Sequence, residues 1–222
     1  MILAAGFGKR MLPLTEHIPK PLLTVAGVPL IEHHIRRLAA AGVTRIVINV
    51  AHLGQQIIDY CQDGERWGVS LSFSQEEEPL ETAGGIVKAL PLLGQKPFLL
   101  VNGDIWTDYP FESLLAQSLA DEDEARLILV ANSPQHPQGD FCLDDTRVLK
   151  RAEGEIGLTY AGIGLLNPKL FGATQPGRAP LLPILLAAIE REALAGEFYP
   201  GEWEDVGTPE RLAVLNARHS SS

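Results

Sequence analysis

Apolar and polar positions change period repeatedly along the chain, and each change separates a buried strand from a one-sided helix. The chain opens on an unbroken apolar run, Met1-Ile2-Leu3-Ala4-Ala5, that stops at Gly6-Phe7-Gly8. Residues 30–41 read as a helix, with Leu30, Ile31, His34, Ile35 and Leu38 on one side, Glu32, Arg36 and Arg37 on the other, and Gly42 to end it. Arg45-Ile46-Val47-Ile48-Asn49-Val50 is a β-branched run suited to a buried strand, and residues 54–61 start the next helix. Residues 69–74 alternate as a strand does, 82–90 read as a helix with Gly84-Gly85 at its start, and 97–102 are a further apolar strand running into Asn102-Gly103-Asp104.

The second half is less regular. It predicts a helix over 111–119, a strand over 126–131, a polar loop over 132–139, a hairpin of 141–143 with 148–151, and a strand over 159–166. A helix over 180–195, a strand over 198–203 and a closing helix over 209–218, with Pro209 in its first turn, complete the pattern. Strands alternating with helices predict an α/β protein with a parallel sheet covered by helices. With no linker and no internal repeat, residues 1–222 read as a single domain. The first strand starts at Met1 itself with only about four or five residues, short for mid-sheet, so we expect the natural chain to begin a few residues upstream.

Composition narrows this further. With 45% hydrophobic and 21% charged residues, 222 residues suit one ordinary core. The net charge of -10 argues against a nucleic-acid surface, so a phosphate ligand has to be held by a few placed cations or a metal. Cys61 and Cys142 form no metal or redox spacing and are expected as free thiols in a reducing compartment. No apolar stretch approaches the roughly twenty residues of a membrane span, and no secretory leader is visible, which predicts a cytoplasmic protein without a membrane partner. No apolar surface stripe is evident, so a monomer is expected.

The candidate chemistry begins where the first strand ends. Glycines that open a loop after a strand let backbone N–H groups approach an anion, and Lys9, Arg10 and Lys20 add positive charge around it. Prolines on both sides of Lys20 limit what it costs to aim its ammonium. The dinucleotide fingerprint fails because Met11 stands where its third glycine would be, and no P-loop Gly-Lys-Ser/Thr follows. Asn102-Gly103-Asp104 lies at a strand's C-terminal end, where open parallel sheets bind ligands. The histidines are scattered without metal spacing, and no nucleophile elbow is present.

Leu3-Ala4-Ala5-Gly6-Phe7-Gly8-Lys9-Arg10-Met11-Leu12-Pro13-Leu14-Thr15 followed by Pro19-Lys20-Pro21-Leu22 resembles the signature of the sugar-1-phosphate nucleotidyltransferases. The resemblance implies a Rossmann-like, mixed, mainly parallel sheet flanked by helices. It also implies condensation of a nucleoside triphosphate with a sugar 1-phosphate and release of pyrophosphate. The N-terminal half would hold the nucleotide and the C-terminal half the sugar. Catalytic Lys20 and Arg10 would work with Gly8, Lys9, Thr82 and Asn102 on the nucleotide. A magnesium ion would sit on Asp104 and on Asp205 of Asp205-Val206-Gly207-Thr208-Pro209, with Thr208 left to cap the last helix.

Leu80-Glu81-Thr82-Ala83-Gly84-Gly85 resembles the family's base-lining loop, with Glu81 where the family has glycine. Asp140 and Glu153 fall in sugar-facing slots and are equally consistent with ligand contact and plain solvent exposure. Within the family the chain is most similar to the N-acetylmuramate α-1-phosphate uridylyltransferases, which implies UTP, UDP-N-acetylmuramate and recycling of cell-wall sugars. A mannose-1-phosphate guanylyltransferase or a glucose-1-phosphate uridylyl- or thymidylyltransferase is the alternative substrate class, and a silent nucleotide-sugar-binding subunit the alternative without turnover.

Overall fold

In the computed structural model, which describes residues 1–219, the opening apolar run becomes a two-residue strand at mid-sheet. The chain runs through β1 (Ile2–Leu3), β2 (Thr24–Val25), β3 (Val28–Pro29), α1 (Leu30–Ala40), β4 (Arg45–Val50), α2 (Gly54–Cys61), β5 (Ser70–Gln75), α3 (Glu81–Leu93), β6 (Phe98–Asn102) and β7 (Ile105–Thr107). It continues through α4 (Phe111–Leu115), β8 (Ala125–Val130), β9 (Phe141–Asp144), β10 (Arg147–Lys150), β11 (Thr159–Leu166), α5 (Leu182–Glu190), β12 (Leu194–Phe198), β13 (Trp203–Asp205) and α6 (Pro209–His219). Nine strands make one sheet in the order β5-β4-β1-β6-β11-β8-β12-β10-β9, in which only β11 and β10 run against the rest. The Rossmann-like, mainly parallel α/β sheet implied by the resemblance is therefore present.

A strand as short as β1 survives because it is paired on both edges and buried on both faces. Ile2 lies opposite Ile48 on one side and Val101 on the other, and is fully buried. Alternation along β4 and β6 sends Ile48 and Val101 to the core under α1 and α2, and Val47 and Leu100 to the core under α3 and α5. A third, smaller core joins Met11, Leu23, Val25 and Leu30 to Val206, Leu212 and Leu215, so the last helix is packed onto the opening loop.

The short strands β2, β3 and β7 have no counterpart in the pattern, and three expected elements end differently. The helix expected over 180–195 ends at Glu190, and Leu194 begins β12, pairing in parallel with β8. Ala, Leu and Glu favour helix, but Glu192 turns to a positive φ of 57°, and burial of Leu194 and Ala195 beside β8 outweighs propensity. The strand expected over 198–203 is instead the end of β12 plus the separate β13. The helix expected over 111–119 stops at Leu115. As expected, both thiols are free; Cys61 is buried, and burial pushes its thiol up to about 12.

His34, on the inner face of α1, is buried with Nε2 donating to the Ile105 carbonyl oxygen at 3.0 Å. Burial lowers its pKa from the ordinary value near 6.5 to about 4. The unfolded chain thus binds the extra proton first. Stability should be complete above about pH 6.5 and fall by up to about 3 kcal/mol as the pH drops toward 4. Urea unfolding of the His34→Gln variant, which keeps a donor for Ile105, should show a shallower acid slope than wild type; equal slopes would contradict this account.

Candidate active site

A cleft of about 360 Å³ opens at the C-terminal ends of β1, β4 and β6, the position that open parallel sheets offer to ligands. The loop leaving β1 forms its rim. Gly8 is left-handed with a φ of 62°, and its carbonyl accepts from Met11 N and Thr15 Oγ1, each at 2.8 Å. A β-carbon on Gly8 would lie 3.0 Å from Thr15 Cγ2 and 3.3 Å from Lys20 Cβ, so only glycine lets the loop close this tightly. Lys9 and Arg10 stay exposed on a short 3₁₀ turn, while Met11 is buried beneath them. Lys20 follows Pro19 into a second 3₁₀ turn. Only 7% of it is exposed, and Nζ donates to Asp104 Oδ2 at 2.7 Å.

Polar groups at strand ends close the other end of the cleft. Asn49, near the end of β4, accepts from Ala4 N at 2.9 Å and donates to Glu76 Oε1 at 2.7 Å, while Glu76 Oε2 accepts from Leu80 N at 2.9 Å. Both residues are buried and line the cleft with Pro79, Glu81 and Thr82. Sequence reasoning missed Asn49 and Glu76. For Asn49 the available signal was a polar residue in the apolar run of β4, one position before its C-terminal end; Glu76, directly after β5 in a run of three glutamates, carried no such signal.

Glu81 opens α3 at a φ of 61° and accepts from Arg178 Nε at 2.7 Å. The left-handed conformation costs a residue with a β-carbon roughly 1–2 kcal/mol. An exposed ion pair returns about 0–1 kcal/mol.

A second cleft, of about 380 Å³, shares Arg10, Asn102 and Asp104 with the first, and adds His136, Tyr160, Trp203, Asp205 and Arg211. β13 pairs antiparallel with β7, placing Asp205 opposite Ile105, and Val206 N donates to the Asp104 carbonyl at 3.1 Å. The two aspartates thus line one cleft although a hundred residues separate them in sequence. Asp205 faces two guanidinium groups, Arg211 at 2.9 Å and Arg10 at 3.7 Å. Arg211 was not singled out by motif; it lies two residues beyond Pro209 in the closing helix. Thr208 Oγ1 accepts from Arg211 N at 3.4 Å, a long contact in the capping position expected of it.

The remaining expected residues are less central. Asp140 faces His136 Nε2 at 3.0 Å and accepts from Tyr160 N at 2.8 Å, so it braces two residues that line the second cleft. Glu153 lies in a separate surface depression beside Lys150 and Arg151, and lines neither cleft. Among the described residues, no group of three or more His, Cys, Asp or Glu is placed to hold a metal ion, and no helix is long and apolar enough to cross a membrane.

An α/β sheet whose parallel strands end in a cation-rimmed cleft belongs to the class of folds that bind phosphate-bearing ligands at those strand ends. Residues 1–147 match the family model described as nucleotidyl transferase. The N-acetylmuramate alpha-1-phosphate uridylyltransferase of Neisseria meningitidis serogroup B is 49% identical over 98% of this chain and 96% of its own. The chain belongs to the nucleotidyl transferase family, among the enzymes that act on sugar 1-phosphates. The mannose-1-phosphate guanyltransferase of Hypocrea jecorina is 32% identical over 94% of this chain, which spans 60% of that longer relative. A Bacillus anthracis protein solved with sucrose shares the fold at a TM-score of 0.88 and 21% identity, covering 100% of this chain and 94% of its own. HddC of Yersinia pseudotuberculosis, complexed with GMP-PN, shares it at 0.79 and 22%, covering 98% and 97%.

Backbone geometry distinguishes the two glycines of the opening loop. A β-carbon on Gly6 would have nothing within 4 Å and Gly6 has no positive φ, unlike Gly8. Gly8→Ala should therefore lower the unfolding free energy by about 1–2 kcal/mol and Gly6→Ala by less than about 0.5 kcal/mol. Equal losses in urea unfolding would refute the tight-loop explanation.

Proposed function

We propose that the chain transfers a uridylyl group from UTP to N-acetyl-α-D-muramate 1-phosphate, giving UDP-N-acetylmuramate and pyrophosphate in the recycling of peptidoglycan sugars. The observation that carries this reading is the 49% identity along nearly the whole Neisseria uridylyltransferase. Two adjoining clefts that meet at Asp104 support it, because two substrates have to meet.

A phosphate oxygen of the sugar 1-phosphate attacks the α-phosphorus in line, and the bond to the bridging oxygen of the leaving pyrophosphate breaks. The attacking oxygen is already anionic, so the reaction needs no general base. It needs alignment and charge neutralisation. In this reading Lys20 stabilises the charge that develops at the α-phosphate. Buried and already hydrogen-bonded, its ammonium is nearly fixed before substrate arrives. Arg10, Lys9 and the Gly8 amide hold the leaving pyrophosphate, and Asn102, which lines both clefts, faces the junction. Thr82 lies with Asn49 and Glu76 at the nucleotide's base end. The C-terminal half supplies the sugar side through His136, Tyr160 and Trp203, with Asp140 positioning the first two.

Asp104 and Asp205 would hold a magnesium ion. Two hard carboxylates on paired segments, with phosphate oxygens and water completing the shell, are the donor set this ion takes. When bound, it supplies positive charge to the phosphate oxygens of both substrates.

Pyrophosphate release, measured with a panel of triphosphates against a panel of sugar 1-phosphates, should be fastest for UTP with N-acetylmuramate 1-phosphate. Preference for GTP with mannose 1-phosphate would overturn the substrate assignment, and no release with any pair would indicate a silent binding subunit. Lys20→Ala should lower kcat by about 10²-fold or more with a smaller change in KM. A Lys20→Ala enzyme of normal rate would remove Lys20 from the mechanism.

A further inference from the structure

The residue that opens α3 is strained, and its contacts among the described residues do not offset the strain. Glu81 occupies the left-handed region at a φ of 61°, which a glycine would adopt freely. Its ion pair with Arg178 is solvent-accessible, with side-chain exposures of 36% and 74%, and returns less than the conformation costs. The side chain is not needed to anchor this corner either. Ala179 N donates to the Leu80 carbonyl, and Ala83 N and Gly84 N donate to the Ala179 carbonyl, so the backbone alone fastens the Arg178 segment to α3. What distinguishes the side chain is its place on the wall of the first cleft. Strain retained at a ligand-facing position points to the ligand.

The charges along this cleft indicate which part of the ligand that is. Lys9, Arg10 and Lys20 gather at the Gly8 end, while at the end lined by Asn49, Glu76, Pro79, Glu81 and Thr82 no lining residue is a cation and Arg178 is taken up by its pair with Glu81. A triphosphate goes to the cations and leaves the neutral base beside the carboxylates. We propose that Glu81, held in place by Arg178, is a base-selecting residue: it fills space that a purine needs and so restricts the cleft to pyrimidine triphosphates. The proposal rests on the reading of this cleft as the triphosphate site and deepens it. Selection of this kind works by excluding the wrong partner rather than by gripping the right one.

The test compares wild type with Glu81→Gly, Glu81→Asn, Glu81→Gln and Arg178→Ala in the full chain. Asparagine tolerates the left-handed conformation and is shorter, so it guards against a folding artefact of glycine. Pyrophosphate release with N-acetylmuramate 1-phosphate should show the ratio of kcat/KM for GTP over UTP rising about tenfold or more in Glu81→Gly, chiefly through the KM for GTP. Glu81→Asn should rise partway, Arg178→Ala should also rise by freeing the side chain, and Glu81→Gln, which keeps the volume, should stay close to wild type. The melting temperature of Glu81→Gly should equal or exceed that of wild type. An unchanged ratio in both folded Glu81→Gly and Glu81→Asn overturns the proposal. Calorimetric binding of UTP and GTP to the same variants reads the preference without turnover. Absence of pyrophosphate release by wild type would sink the catalytic reading, whereas equal binding preferences in wild type and Glu81→Gly would sink the base-selecting role.

Discussion

The pairing of β13 with β7 is the constraint on which the site depends. It is only three residues long, yet it joins the C-terminal segment from Trp203 onward to the segment after β6 and sets Asp205 beside Asp104. The pairing is not left to stand alone. Val206, Leu212 and Leu215 pack against Met11, Leu23 and Leu30, so the helix after β13 is clamped to the loop after β1. Apolar burial thus ties the segments that carry the cationic rim, the buried lysine and both aspartates into one packed unit.

Within that unit, carboxylates and cations hold one another in position. Lys20 lies on Asp104, and Arg10 and Arg211 face Asp205. Lys20 and Arg211 are held against the cleft by a carboxylate and largely kept from solvent, while Arg10 leans toward Asp205 from an exposed position on the rim. This is how a chain with a net charge of -10 presents a local surface for a polyanion. The geometry favours charge neutralisation over proton transfer, and no residue in either cleft has to serve as a base for the proposed reaction.

Much of this was legible from the chain alone, for identifiable reasons. Strands β4, β6 and β11 are buried on both faces and read as apolar runs, and the glycine loop and Lys20 have a spacing that few other structures require. The end of α5 was misread because Ala and Leu suit helix and buried strand alike, and only the neighbouring strand β8 decides between them. β7 was not anticipated at all, since its three residues mean little without β13 to pair with. Asn49, Glu76 and Arg211 escaped for a related reason: each is a common polar residue whose place in the cleft comes from distant contacts. Glu153 sat in a plausible slot by sequence, but the turn after β10 carries it away from both clefts.

In the proposed reaction Asp104 and Asp205 would form one divalent-cation position completed by substrate. Electron paramagnetic resonance of Mn²⁺, titrated in the presence of a non-hydrolysable UTP analogue, tests it directly. Wild type should bind one ion, while Asp104→Asn and Asp205→Asn should each lose it to a similar degree, and the double variant should be little worse than either alone. Undiminished binding by Asp205→Asn would contradict the account, because β13 would then bring that carboxylate to the cleft for some other purpose.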